Sequence, residues 1–262
     1  MAVGTLVLLL PLHNPVYVAE EMATLDVICN GRFVFGIGLG YRDLEFDVFG
    51  TRREERVSRF LESLEIVKRL WTEDDVTHEG RHFHLKNVNL TLKPLQKPYP
   101  PIWVGASSVP AVRRAAELGL PWILTPNVTA ATLRDQWDIY KHTAAGAGHP
   151  VPGDRPIRRD IYIASDRKTA LNEARPYIEE KMRTLANWGF GKEGGSENNL
   201  DRPLESLVEG RFIMGDPDDC AEQIRQYERD FGTTEMILRF HWPGMPQEKV
   251  LREGIVENAA AR

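Results

Sequence analysis

Cysteine is almost absent, with Cys29 and Cys220 the only two in 262 residues. They show no metal-ligand spacing and cannot build a disulfide framework, so a reducing, cytoplasmic compartment is expected. Basic residues are not in excess: 33 Lys and Arg stand against 38 Asp and Glu, a formal net charge of −5. That argues against nucleic acid as a partner, because neutralising phosphates needs a basic surface. The pairs Arg52-Arg53 and Arg158-Arg159 are read as solvated faces. Long apolar runs are also missing. The opening "MAVGTLVLLLPLHNP" offers, from Ala2 to Leu12, about half of the roughly 20 residues that cross a bilayer. It has no preceding Lys or Arg and no small-x-small cleavage site, so neither a membrane anchor nor a signal peptide fits. Val3 and Leu6 to Leu10 read instead as a buried strand ended by Pro11.

What is present is a globular composition, 42% hydrophobic and 27% charged, of a length for one barrel-sized domain or two smaller ones. Asn14 can cap a helix with Pro15 at its first position, and Asn30-Gly31 can stop it. "RFVFGIGLG" reads as a strand loosening into glycines, followed by a loop. In "RREERVSRFLESLEIVKRLW", Val57, Phe60, Leu61, Leu64, Val67 and Leu70 recur at helical steps. The glutamates Glu54, Glu55, Glu62 and Glu65 fall on the polar side of that helix and are assigned to the surface. A β-hairpin insertion is expected near 75–95, and a mobile loop near 187–203 in "GFGKEGGSENNLDRP". Pro176 either kinks or breaks a long helix that starts near Asp166. Six main strands, at Val3, Val34, Trp103, Ile123, Ile161 and Ile237, alternate with helices. Such alternation predicts parallel βαβ units, in an open doubly wound sheet or an eight-fold barrel missing two strands.

"VFGIGLGYRDLEF" does not satisfy the dinucleotide pattern G-x-G-x-x-G, because Tyr41 or Asp43 stands where the last glycine belongs. Gly36, Gly38 and Gly40 alternate instead, so they share one strand face. The bare face leaves room for a flat ring, or else answers crowding in a barrel interior. His78, His82 and His84 lack a fourth ligand, so no metal is expected. Cys29 is read as packing.

"LLLPLHNPVYVAEEMATLD", "GRFVFGIGLGYRDLEFDVFG", "RLWTEDDVTHEGRHFHL", "KPLQKPYPPIWVGASS" and "EGRFIMGDPDDCAEQI" resemble, in order and spacing, the luciferase-like flavin-dependent monooxygenases. That family includes bacterial luciferase, alkanesulfonate monooxygenase and the F420-dependent oxidoreductases. The resemblance implies an α/β fold, a TIM (β/α)8 barrel over 1–262 as a single domain. "GTLVLLLPLHNP" resembles the third barrel strand, so the first two βα units are expected to be lacking. It further implies an enzyme that uses reduced FMN and oxygen on a small organic substrate. The alternatives are F420-dependent hydride transfer, or a non-enzymatic family member. A separate flavin reductase and a homo-oligomer are implied as partners, with no nucleic acid and no membrane.

Active sites in this fold sit where strands end. His13 is assigned there as the catalytic residue, with Asn14, Gly38, Gly40 and Tyr41 beside the cofactor ring. Gly105, Ala106, Ser107 and Ser108 are assigned to its phosphate, at the head of a helix whose dipole favours anions. The family usually has two glycines where this chain has Gly105-Ala106. Arg42, Arg239, His241 and Trp242 are assigned to the substrate, with Trp242 walling an apolar group.

Overall fold

The structure is a computed structural model that describes residues 2–189 and 204–251. The loop expected near 187–203 lies, from residue 190 on, outside the described residues. The chain divides into two compact units, Met1–Gly105 and Ala106–Arg262.

In the first unit the opening apolar run is not one strand. It forms β1 (Val3–Gly4) and β2 (Leu8–Leu9), both parallel to β3 (Phe33–Gly38). The register shows why. Gly4 faces Val34 and Leu8 faces Ile37, so four steps on one strand match three on the other. The extra residue is a β-bulge at Thr5–Val7, where the Leu6–Val7 peptide is cis. Nor is the run wholly buried. Val3 is 46% exposed and Leu6 39%, because among the described residues β1 and β2 pair with β3 alone. The expectation of an interior strand is corrected accordingly. A short 3-10 turn (Leu10–Leu12) then leads to α1 (Pro15–Ile28).

Asn14 caps α1, its side chain accepting from the Val16 N–H at 2.9 Å. The expected loop after β3 contains a helix, α2 (Asp43–Val48), before α3 (Arg56–Thr72). Helix α3 buries Phe60, Leu64, Val67 and Leu70 as its periodicity predicts, whereas Val57 is half-buried and Leu61, expected on the same stripe, is 41% exposed. The Trp71 indole of α3 donates to the Ala19 carbonyl of α1 at 2.9 Å. Strands β4 (Val76–Glu79) and β5 (His84–Val88) form an antiparallel hairpin. Then β6 (Ile102–Ala106) joins β3 in parallel, with Gly38 opposite Gly105.

The second unit runs α4 (Val109–Glu117), β7 (Trp122–Leu124), α5 (Ala130–Gly146), β8 (Pro156–Ile163) and α6 (Arg167–Asn187). It continues through α7 (Leu204–Val208), β9 (Phe212–Gly215), α8 (Pro217–Phe231), β10 (Glu235–Arg239) and α9 (Gln247–Leu251). Strand β8 is central and pairs in parallel with β7, β9 and β10. Strand β9 was not among the six expected. Helix α6 runs unbroken through Pro176, which faces solvent, while Ala170, Ala174, Ile178 and Met182 pack inward. That buried stripe holds the helix across the missing backbone donor.

Candidate functional site

Because β2, β3 and β6 are parallel, all three end at one edge of the first unit. His13 and Asn14 follow β2 there, Gly40, Tyr41 and Arg42 follow β3, and Gly105 stands near the end of β6. The His13 ring meets Phe49 edge-on, with centroids 5.4 Å apart. Partial burial lowers its pKa below the ordinary 6.5, opposed only by the negative charge of Glu21, so the imidazole is neutral at pH 7. Burial likewise raises the Tyr41 phenol, and Glu45 adds to the effect. Arg42 pairs with Glu45 at 3.1 Å, and Arg53 with Asp43 at 2.9 Å. Gly40 has φ +76°, which needs glycine, and lies against Phe46 and Leu9.

The glycine face is not open. A Cβ on Gly36 would sit 2.0 Å from the Thr5 carbonyl oxygen, and one on Gly38 would sit 2.7 Å from Val7 Cγ2. On Gly105 it would stand 3.0 Å from Val7 Cγ1. These glycines make room for the bulge, with Val7 filling the space that a bare face suggests for a ring. Asn14, assigned to the cofactor, is exposed and spends its side-chain oxygen on the helix cap.

In the second unit, Ala106, Ser107 and Ser108 lead into α4. Ser108 stands at the N-cap position but makes no side-chain capping bond. Neither Gly105 nor Ala106 has positive φ, so alanine in place of a second glycine strains nothing. The Ser107 carbonyl accepts from Gln136 Nε2 at 3.2 Å.

The three residues assigned to substrate at the β10 exit part company. His241 is exposed. Trp242 is fully buried, stacked on Tyr162 at 5.7 Å and edge-on to Phe212 at 5.9 Å. It is a core residue and not the wall of an open pocket. Arg239 reaches inward and grips Asp160 with Nε on Oδ1 at 2.7 Å and Nη2 on Oδ2 at 3.0 Å. The Lys181 ammonium, from α6, donates to the same carboxylate.

Burial raises the Asp160 pKa, but the charges of Lys181 and Arg239 outweigh it and leave it lowered. Lys181 is brought to about 8, chiefly by burial, although Asp160 opposes the shift. This cluster was missed in the sequence. Its signal was the alternation Arg158, Asp160, Tyr162 on one face of an otherwise apolar strand. Lys181 gives a second cue, three residues after Ile178 on the buried stripe of α6. The reading of Arg158-Arg159 as a solvated pair is corrected too. Arg159 is 0% exposed, donates to the Thr125 carbonyl and lies 4.8 Å over the Tyr227 ring. Successive strand residues point to opposite faces, so such a pair cannot form one solvated patch.

The histidine-rich stretch is an anchor for the hairpin. Glu62 on α3 accepts from the His82 N–H at 3.0 Å, the Phe83 N–H at 2.8 Å and His78 Nε2 at 3.3 Å. His82 Nε2 lies 2.8 Å from the Ser58 hydroxyl. Glu62, assigned to the surface, is therefore largely covered, with its side chain 11% exposed. Among the described residues, no group of three or more His, Cys, Asp or Glu gathers to hold a metal. No helix among them is long and apolar enough to cross a membrane.

The sequence profile of the luciferase-like monooxygenases matches residues 1–234. The chain belongs to that family. A relative, the F420-dependent glucose-6-phosphate dehydrogenase of Amycolatopsis mediterranei (strain U-32), is 26% identical over 247 residues, 92% of this chain and 73% of its own. Among solved structures, monooxygenase RslO1 from Streptomyces bottropensis superposes with a TM-score of 0.81 at 26% identity. It covers 97% of this chain and 75% of its own. The oxygenating constituent of 3,6-diketocamphane monooxygenase from Pseudomonas putida, in complex with FMN, gives a TM-score of 0.74 over 91% and 72% at 22% identity. At that identity the likeness is one of fold. Family membership makes the chain an oxidoreductase of luciferase-like α/β architecture.

Proposed function

We propose that the chain binds FMN and acts with oxygen on a small organic substrate. The observation that carries this reading is the convergence of His13, Gly40, Tyr41 and Arg42 at the shared end of parallel strands, where this fold keeps its chemistry. The likeness to a monooxygenase across nearly the whole chain supports it. A second reading, hydride transfer with F420, is favoured by the F420-dependent relative.

Both cofactors carry phosphate, and residues 105–108 fit it. Ser108 is not spent on capping, Ala106 is unstrained, and α4 brings its positive N-terminal end. When bound, the cofactor supplies the redox chemistry. In the second unit the chain's part is to hold a phosphate through Ser107 and Ser108; in the first, it is to offer one hydrogen bond from neutral His13. Arg42 would meet the substrate. A separate reductase belongs to the FMN reading, and self-association to both.

The test is titration of the purified chain with FMN and with F420, followed by absorbance and fluorescence. Saturable binding of one and not the other selects between the readings. Binding of neither sinks both. A hydrogen bond to a charged group is worth about 1.5–3 kcal/mol, so Ser107→Ala with Ser108→Ala should weaken binding by roughly tenfold or more.

A further inference from the structure

One face of β8 gathers an uneven set of charges. Asp160, 1% exposed, is gripped by Arg239 from β10 and by Lys181 from α6. Arg158 lies two residues before Asp160 on the same strand face. Burial lowers its pKa, the Arg239 charge lowers it further, and Asp160 pulls the other way. Among the described residues, no hydrogen bond or ion pair engages the Arg158 guanidinium. Glu173, a further acid on α6, is taken by the Tyr162 hydroxyl at 2.8 Å and by Lys249 at 3.4 Å. Two cations thus grip one carboxylate in a largely buried place, and a third, Arg158, stands on the same face with no partner of its own among the described residues.

Uncompensated charge away from water is costly unless something pairs with it. Two features leave the cluster reachable. Arg239 keeps 31% of its side chain exposed, and Arg158 is only partly buried. Arg239 uses Nε and Nη2 on Asp160, which fixes its plane and leaves Nη1. A guanidinium fork of this kind matches an oxyanion such as carboxylate or phosphate in a two-point arrangement.

We propose that Arg239, held in place by Asp160, and Arg158, on the same face of the neighbouring strand, form a binding site for the oxyanion group of a small organic molecule. Assigning that molecule as the substrate rests on the redox reading above. Occupancy of the site does not, and it is measured without cofactor.

The experiment is thermal unfolding of the full chain in inorganic phosphate or succinate, against chloride at matched ionic strength. At least one of the two oxyanions should raise Tm saturably where chloride does not. Arg158→Gln, at a partly exposed side chain with no partner to lose, should fold normally and bind that oxyanion at least tenfold more weakly. Arg158→Lys keeps the charge without the fork and should also weaken it. In the Ser107→Ala, Ser108→Ala variant the stabilisation should persist, which separates this site from one for a cofactor phosphate. Stabilisation unchanged in both Arg158 variants overturns the proposal. So does its loss in the serine variant, or a wild-type response no greater than that to chloride. Failure of the chain to bind FMN or F420 would remove the redox reading and leave this site standing.

Discussion

Gly36 and Gly153 show how differently one residue type is used. Nothing lies within 4 Å of a Cβ on Gly153, whereas one on Gly36 would strike a backbone carbonyl at 2.0 Å. Gly36→Ala should therefore cost about 3 kcal/mol or more in urea unfolding, as overpacking against backbone does. Gly153→Ala should leave stability within about 0.5 kcal/mol. Equal effects would show that the bulge does not occupy the glycine face. Asp160 gives the electrostatic counterpart. Asp160→Asn leaves Lys181, Arg239 and Arg158 to repel one another, and removing one partner of a buried pair costs about 3–5 kcal/mol. A loss below about 1 kcal/mol in the same assay would mean the cluster is hydrated. His13 should titrate below 6.5 in an NMR pH series, its protonation opposed by burial. Since the folded value lies below the unfolded one, its contribution to stability is complete above pH 6.5 and lost as pH falls through the lowered value.

Elements were legible where their pattern is local. Helix α3 follows from its apolar spacing, and α1 from Asn14 and Pro15. Helix α2, six residues long, is too short to show a period, and the split of the opening strand has no sequence marker. The hairpin's attachment was hidden for another reason: Glu62 has a solvent-facing position on α3, and only β4 and β5 folding over it cover it. Burial raises the Glu62 pKa, but hydrogen bonds from the His82 and Phe83 amides and from His78 outweigh it and leave it lowered. The hairpin's stabilisation by Glu62 is therefore full above about pH 4.5 and lost as pH falls through the lowered value. Glu62→Ala should speed hydrogen exchange at the His82 and Phe83 amides at neutral pH. Unchanged protection there would show that β4 and β5 hold without α3.

For the molecule as a whole, alternating strands and helices required parallel pairing, and among the described residues β3 pairs in parallel with β1, β2 and β6, and β8 with β7, β9 and β10. Self-association is the prediction proper to this scale. Leu44 and Val48, one helical turn apart on α2, are 61% and 74% exposed, and Phe49 is 51% exposed. Apolar surface gathered this way marks contact regions. Sedimentation equilibrium should find a species heavier than one chain of 29.8 kDa, and a monomer at all concentrations would refute it. By itself the sequence determined the alternation of elements, the helix caps, the parallel sheet class and the family, because each is written in spacing along a few tens of residues. Tertiary structure alone decided that Val7 fills the glycine face, that Trp242 is core, that Glu62 is covered and that Asp160 holds both Arg239 and Lys181. Each of those depends on which distant segment closes over a given face, and side-chain periodicity along the chain carries no record of that partner.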